Sequence, residues 1–96
     1  MAFRQEILST LKQAKNVLSD RYGIQALALF GSYSREDANT DSDVDILVEL
    51  KNPIGIRFID LADELETLLH RKVDLVSRKG IKPKYFASIE PDLIYV

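Results

Sequence analysis

Gly31-Ser32, followed after ten residues by Asp43-Val44-Asp45, sets a small, backbone-exposing pair and two carboxylates at the junctions of apolar runs. Asp43 and Asp45 stand two apart at the start of the run Val44 to Leu50. A strand alternates its side chains between faces, so both carboxylates are expected on one side. Like charges held that close repel, which raises the pKa of one of them unless a cation intervenes, and a bound divalent metal is the usual remedy. Gly31 lets backbone approach a phosphate, and Ser32 offers a hydroxyl and an amide at a helix start, where partial positive charge favours anions. Asp74 interrupts the apolar stretch Val73 to Val76. An acid in the middle of such a strand is costly unless it is paired or metal-bound. Three oxygen ligands completed by a nucleoside triphosphate suit two magnesium ions about 4 Å apart, which activate an attacking oxygen and stabilise the departing pyrophosphate.

Each of these residues also has a plainer reading. Asp43 and Asp45 fit a solvated turn, Gly31-Ser32 a strand-ending turn, and Asp74 a salt bridge to Arg71 or Lys72. A calcium loop on Asp41-x-Asp43-x-Asp45 fails on spacing, because Ile46 stands where that loop needs glycine and Asn52 where it needs a bidentate glutamate. His70 reads as a helix-end residue favoured by the macrodipole.

The elements that must hold these residues follow from periodicity. Phe3, Ile7, Leu11, Ala14 and Leu18, widened by Leu8 and Val17, predict an amphipathic helix ending near Tyr22-Gly23. Ile24 to Phe30 is short, nearly all apolar and bounded by glycines, as a buried strand is. Ser32 to Glu36 fits a short helix, Ala38 to Ser42 a turn, and Val44 to Leu50 a second strand closed by Lys51-Asn52-Pro53. Ile56 to Leu69 reads as a helix with Phe58, Leu61, Ala62, Leu65, Leu68 and Leu69 on its dry side and Asp60, Asp63, Glu64 and Glu66 on a solvated one. A third strand at Val73 to Val76, a short helix at Pro83 to Ser88 and a terminal piece at Leu93 to Val96, either an extra strand or a partner contact, complete the order. The class is α/β (α+β): a small mixed sheet covered by helices.

Composition narrows the chemistry. The 96 residues, 46% hydrophobic and 29% charged, suit one compact domain over 1–96. Thirteen Lys plus Arg against fifteen Asp plus Glu give a net charge of −2, so no direct nucleic-acid binding is expected. The absence of cysteine and a single histidine rule out thiolate chemistry and zinc cages, leaving oxygen ligands for any metal. No signal-like segment and no apolar run of about 20 residues point to the cytoplasm, with no membrane contact.

Gly31-Ser32-x10-Asp43-x-Asp45, with Asp74 one helix later, resembles the minimal nucleotidyltransferases (MNT domains) of the DNA polymerase β superfamily. The likeness runs from the strand before Gly31 to Arg71-Lys72-Val73-Asp74-Leu75-Val76. It implies a palm-like fold in which Asp43 and Asp45 bind both Mg2+ ions. Asp74 would bind the catalytic one and help activate the acceptor hydroxyl, while Gly31 and Ser32 hold the triphosphate. Arg35 matches a basic residue common after the glycine-serine pair. The chain departs at Arg35-Glu36, where many relatives have Arg-Gly, and at His70, which replaces a frequent glycine. The resemblance further implies an MntA-like antitoxin that transfers AMP from ATP to a tyrosine of a helical HEPN toxin. Neutralisation of the partner by binding alone, or transfer to a small molecule, are the alternatives. The small domain leaves little surface for an acceptor pocket of its own, which favours an acceptor supplied by a partner.

Overall fold

The computed structural model describes residues 3–96. Met1 and Ala2, part of the expected 1–96 domain, lie outside the described residues. Helix α1 (Phe3–Tyr22) leads into strand β1 (Ile24–Phe30), the short helix α2 (Gly31–Arg35) and strand β2 (Val44–Leu50). Helix α3 (Arg57–Leu69) then carries the chain to β3 (Val73–Ser77). A 3-10 turn at Arg78–Gly80, helix α4 (Pro83–Ile89), a second 3-10 turn at Glu90–Asp92 and strand β4 (Ile94–Tyr95) follow.

The four strands form one mixed sheet in the order β3-β2-β1-β4. β1 runs antiparallel to β2 and to β4, whereas β2 and β3 are parallel. A parallel pair cannot be closed by a tight turn, and α3 is the crossover that joins it. The terminal piece is therefore a strand, with Ala28 opposite Tyr95 and Leu29 opposite Ile94.

Alternation along the strands feeds two cores. Leu27 and Leu29 of β1 with Val44, Ile46 and Val48 of β2 pack on Ile7, Leu11 and Leu18 of α1 and on Leu61, Leu65 and Leu69 of α3. The opposite face, Ala28, Phe30 and Leu47, meets Ile81, Ile89 and Phe86 from α4 and its approach. Cover on both faces explains why Ile24 to Phe30 reads as an apolar run without alternation. Two helical residues depart from the expected apolar stripes: Val17 is 56% and Leu68 38% exposed. Both lie just beyond the arc that faces the sheet, and periodicity alone does not set the width of that arc. Among the described residues, no helix is long and apolar enough to cross a membrane.

Candidate active site

The sheet register brings the acidic residues to one end. Asp45 pairs across β1 with Phe30, the residue before Gly31, and across β2–β3 with Asp74. Neighbouring strands run about 4.8 Å apart, so the two carboxylates leave adjacent backbones side by side. Asp45 shares the parity of Leu47, and Asp74 that of Val76, which places both on the α4 side of the sheet. Asp43 lies one residue before β2 and is exposed.

The Asp45 carboxyl is pushed up from its ordinary 3.8 to about 6. Burial is the first cause, the charge of Asp74 the second and that of Asp43 the third; Arg35 opposes them without offsetting them. The neighbour two residues away in sequence thus matters less than the one across the strand. Asp74 itself is exposed and takes part in no ion pair among the described residues. The expectation that Asp74 is a costly buried acid needing a partner is corrected, as is its proposed salt bridge to Arg71 or Lys72. β3 is an edge strand, and solvent reaches Asp74 there. Among the described residues, no three His, Cys, Asp or Glu side chains are gathered as a ready metal cage.

Gly31 forms the wall behind Asp45. Its φ is +75°, and a Cβ built there would collide with the Asp45 Oδ2 and lie 3.0 Å from its Cγ. Only glycine fits, because the carboxylate is seated directly against the backbone. Ser32 follows, half-buried, in the first turn of α2.

α2 is held from both flanks by groups distant in sequence. Arg4 of α1 donates to the Ser34 carbonyl at 3.1 Å and pairs with Glu36. Opposite it, the Ser34 hydroxyl donates to the Asp92 carbonyl. Arg35, expected to face phosphate, donates through Nε to Asp37 at 3.1 Å and through Nη1 to Asp92 at 2.8 Å. These two carboxylates hold the Arg35 pKa above its usual value. Arg4 and Asp92 escaped the sequence reading, since nothing in Phe3-Arg4-Gln5 or Glu90-Pro91-Asp92 signals a contact tens of residues away.

Tyr33, buried in α2, donates to the Asn39 carbonyl at 3.3 Å and meets Phe3 edge-on at 6.1 Å. The Arg71 guanidinium lies 5.0 Å from the Phe3 ring and 5.8 Å from that of Tyr33, and it donates to the Leu69 carbonyl at 3.2 Å. This locks the loop leading to Asp74 onto α1 and α2. Between that loop (His70, Arg71, Lys72) and Thr40 to Asp43 lies an open cleft of about 330 Å3. Glu36 and His70, the two positions where the resemblance leads one to expect glycine, have φ of 63° and 54°. Glycine adopts this left-handed backbone without steric cost, whereas Glu36 and His70 hold it as helix C-caps.

A mixed four-stranded sheet covered by helices, with acids on adjacent central and edge strands, is the palm-like fold of nucleotidyltransferases. The profile of the family described as "Nucleotidyltransferase domain" matches residues 11–96. A candidate protein adenylyltransferase of Methanocaldococcus jannaschii is 45% identical over 93 residues, covering 95% of both chains. The protein adenylyltransferase MntA of Thermococcus cleftensis is 40% identical over 93 residues, covering 96% of this chain and 94% of its own. Among solved structures, a candidate minimal nucleotidyltransferase superposes with a TM-score of 0.71 at 32% identity, covering 95% of this chain and 86% of the other. A toxin–antitoxin MntA–HpeT structure gives 0.72 at 26%, covering 88% and 69%. The chain belongs to the nucleotidyltransferase domain family, as a minimal nucleotidyltransferase related to the MntA-like antitoxins of HEPN/MNT pairs. It is an enzyme of the nucleotidyltransferase type.

Proposed function

We propose that this protein transfers AMP from ATP to a tyrosine hydroxyl of a HEPN-type toxin and silences the toxin by that modification. One observation carries the reading: Asp45, wedged against the Gly31 backbone and flanked by Asp74, is an acid whose charge the fold leaves uncompensated. A site of that kind favours a cation. The adenylyltransferase relatives support ATP as donor and a protein as acceptor, and the toxin–antitoxin structure supports a toxin partner.

The donor chemistry fits magnesium. Asp43, Asp45 and Asp74 offer hard oxygens and nothing softer, and since they do not close a cage by themselves, phosphate oxygens and water must complete the shell. When bound, magnesium supplies charge neutralisation of the triphosphate and a lowered pKa for the attacking hydroxyl. Asp43 and Asp45 would hold both ions in this scheme, and Asp74 would hold the catalytic one and help activate the acceptor hydroxyl. Gly31 brings its backbone close to the phosphates, while Ser32 and Arg35 donate to them. The acceptor oxygen forms a bond to the α-phosphorus as the bond to the bridging β-phosphate oxygen breaks, and pyrophosphate leaves. The hydroxyl proton passes to Asp74, whose exposure lets it go on to water.

The test pairs the protein with a purified HEPN partner, α-labelled ATP and magnesium. Label on the partner, lost in Asp43→Ala with Asp45→Ala together with protection of cells, is the expected result. Protection that survives the double substitution would establish neutralisation by binding alone.

A further inference from the structure

The 3-10 turn Glu90–Asp92 lies far along the chain from α2, yet it makes two contacts with it. Its main-chain carbonyl accepts from Ser34, and its side chain accepts from Arg35 at 2.8 Å. We propose that Asp92 is a positioning residue for nucleotide binding, acting through Arg35 to aim the guanidinium at the phosphates of the incoming triphosphate. The proposal rests on the reading that Arg35 contacts those phosphates.

The two carboxylates around Arg35 are not equivalent. The Asp92 side chain is 23% exposed and belongs to a turn fastened on one side by β4 pairing with β1 and on the other by the packing of Ile89 and Leu93. Asp37 is 58% exposed and lies only two residues from Arg35, on the solvated turn after α2. A partner anchored to the sheet fixes a long side chain; one on the same exposed turn moves with it. Arginine carries five N–H donors in a rigid fork. Nε serves Asp37 and Nη1 serves Asp92, whereas Nη2 donates to neither. A phosphate oxygen can therefore take Nη2 and displace Asp37 from Nε while Asp92 keeps its grip on Nη1. Asp37 holds the place of an anion, and Asp92 sets the direction from which that anion is met. The Ser34 contact makes this a property of the whole turn, because it ties α2 itself, with Ser32 in its first turn, to the same main chain.

Titration calorimetry with magnesium and a non-hydrolysable ATP analogue tests this on four proteins: the wild type, Asp92→Asn, Arg35→Met and the double variant. Asp92→Asn should weaken binding about threefold to fivefold, the range for a partly shielded charge pair. In the Arg35→Met background it should add no weakening, because coupling vanishes when the intermediary is gone. Asp37→Asn should not weaken binding, and Asp92→Glu, which keeps the charge, should recover part of the loss. Should Asp92→Asn fail to fold, Asp92→Glu, alone and in the Arg35→Met background, carries the same comparison. Equal weakening by Asp92→Asn with and without Arg35 overturns the proposal, as does no effect of Asp92→Asn where Arg35→Met itself weakens binding; both leave the phosphate role of Arg35 standing. An Arg35→Met protein that binds as tightly as wild type removes that role and the positioning role with it.

Discussion

Acids are treated in opposite ways at the two ends of this sheet. Glu64 on α3 accepts from Tyr22 at 2.5 Å and pairs with Arg21, and its pKa is lowered, first by the Tyr22 hydrogen bond. Arg57 extends the cluster, lying 5.0 Å over the Tyr22 ring and donating to the Arg21 carbonyl. Asp45, by contrast, is set between Asp74 and Asp43 with no hydrogen-bonded cation, and its pKa is raised. The first arrangement ties α1 to α3 and holds the fold. In the second, the charge of Asp45 lowers stability with no partner inside the fold to offset it, which is the physical contrast with a structural salt bridge and the basis of the proposed cation site.

Substitution at Asp45 should break this contrast most visibly. Asp45→Asn is expected to lower transfer more than about 100-fold, the scale of losing a metal ligand. The same change should raise metal-free stability by about 1 kcal/mol after allowance for solvent screening, since it removes the unfavourable charge. Transfer assays and urea melts in chelator check the two halves. Asp45 keeps its proton more tightly folded than unfolded, so its ionisation destabilises the fold as pH rises from about 4 to 6. The gain from asparagine should therefore be larger at pH 8 than at pH 4.

Gly31→Ala tests the wall behind that carboxylate. It should cost at least about 2 kcal/mol, from left-handed strain plus collision with Asp45, and lower activity with it. Combining it with Asp45→Ala should recover part of the stability and none of the activity.

At the satisfied end, Tyr22→Phe should cost about 1 kcal/mol with turnover retained, because it deletes a hydrogen bond to a carboxylate. Glu64 has a folded pKa below its ordinary 4.5, so its contribution is present above that value and lost as pH falls through the folded one. Thermal melts should show the gap between wild type and Glu64→Gln closing as pH drops below about 4.5. The smallest effect belongs to His70→Gly, expected to stabilise by about 0.5 kcal/mol, since relief of left-handed strain slightly exceeds glycine's entropy cost.

How much of this was legible beforehand follows from the range of each interaction. Strands β1 and β2 and helix α3 are written in local periodicity, and the Gly31, Ser32, Asp43 and Asp45 spacing is read directly. The α3 acids looked like one solvated face. Yet Glu64 closes a clamp with α1, and Glu66 accepts from the Val73 amide at 2.9 Å. The first is visible only once α1 is known to lie alongside α3, the second only once the start of β3 is placed against the end of α3. The burial argument for Asp74 does not survive its exposure; what sets it beside Asp45 is the register of β2 and β3, a fact of strand pairing. The Arg4 and Asp92 supports of α2 arise from contacts 30 and 58 residues apart through Ser34. Local pattern cannot encode these.

Tyr33 gives the molecule an optical property of its own. The chain has no tryptophan and four tyrosines, so all of its near-ultraviolet aromatic signal above the phenylalanine bands comes from tyrosine. Tyr22 and Tyr33 are buried, one at each of the contrasted ends, while Tyr85 and Tyr95 are largely solvated. Tyr33 sits in α2, edge-on to Phe3 and beneath the Arg71 guanidinium, a fixed and asymmetric setting of the kind that gives a phenol ring strong circular dichroism. A dye-free near-ultraviolet titration can thus follow α2, with Tyr33→Phe assigning the band and Tyr22 at the far end serving as the reference.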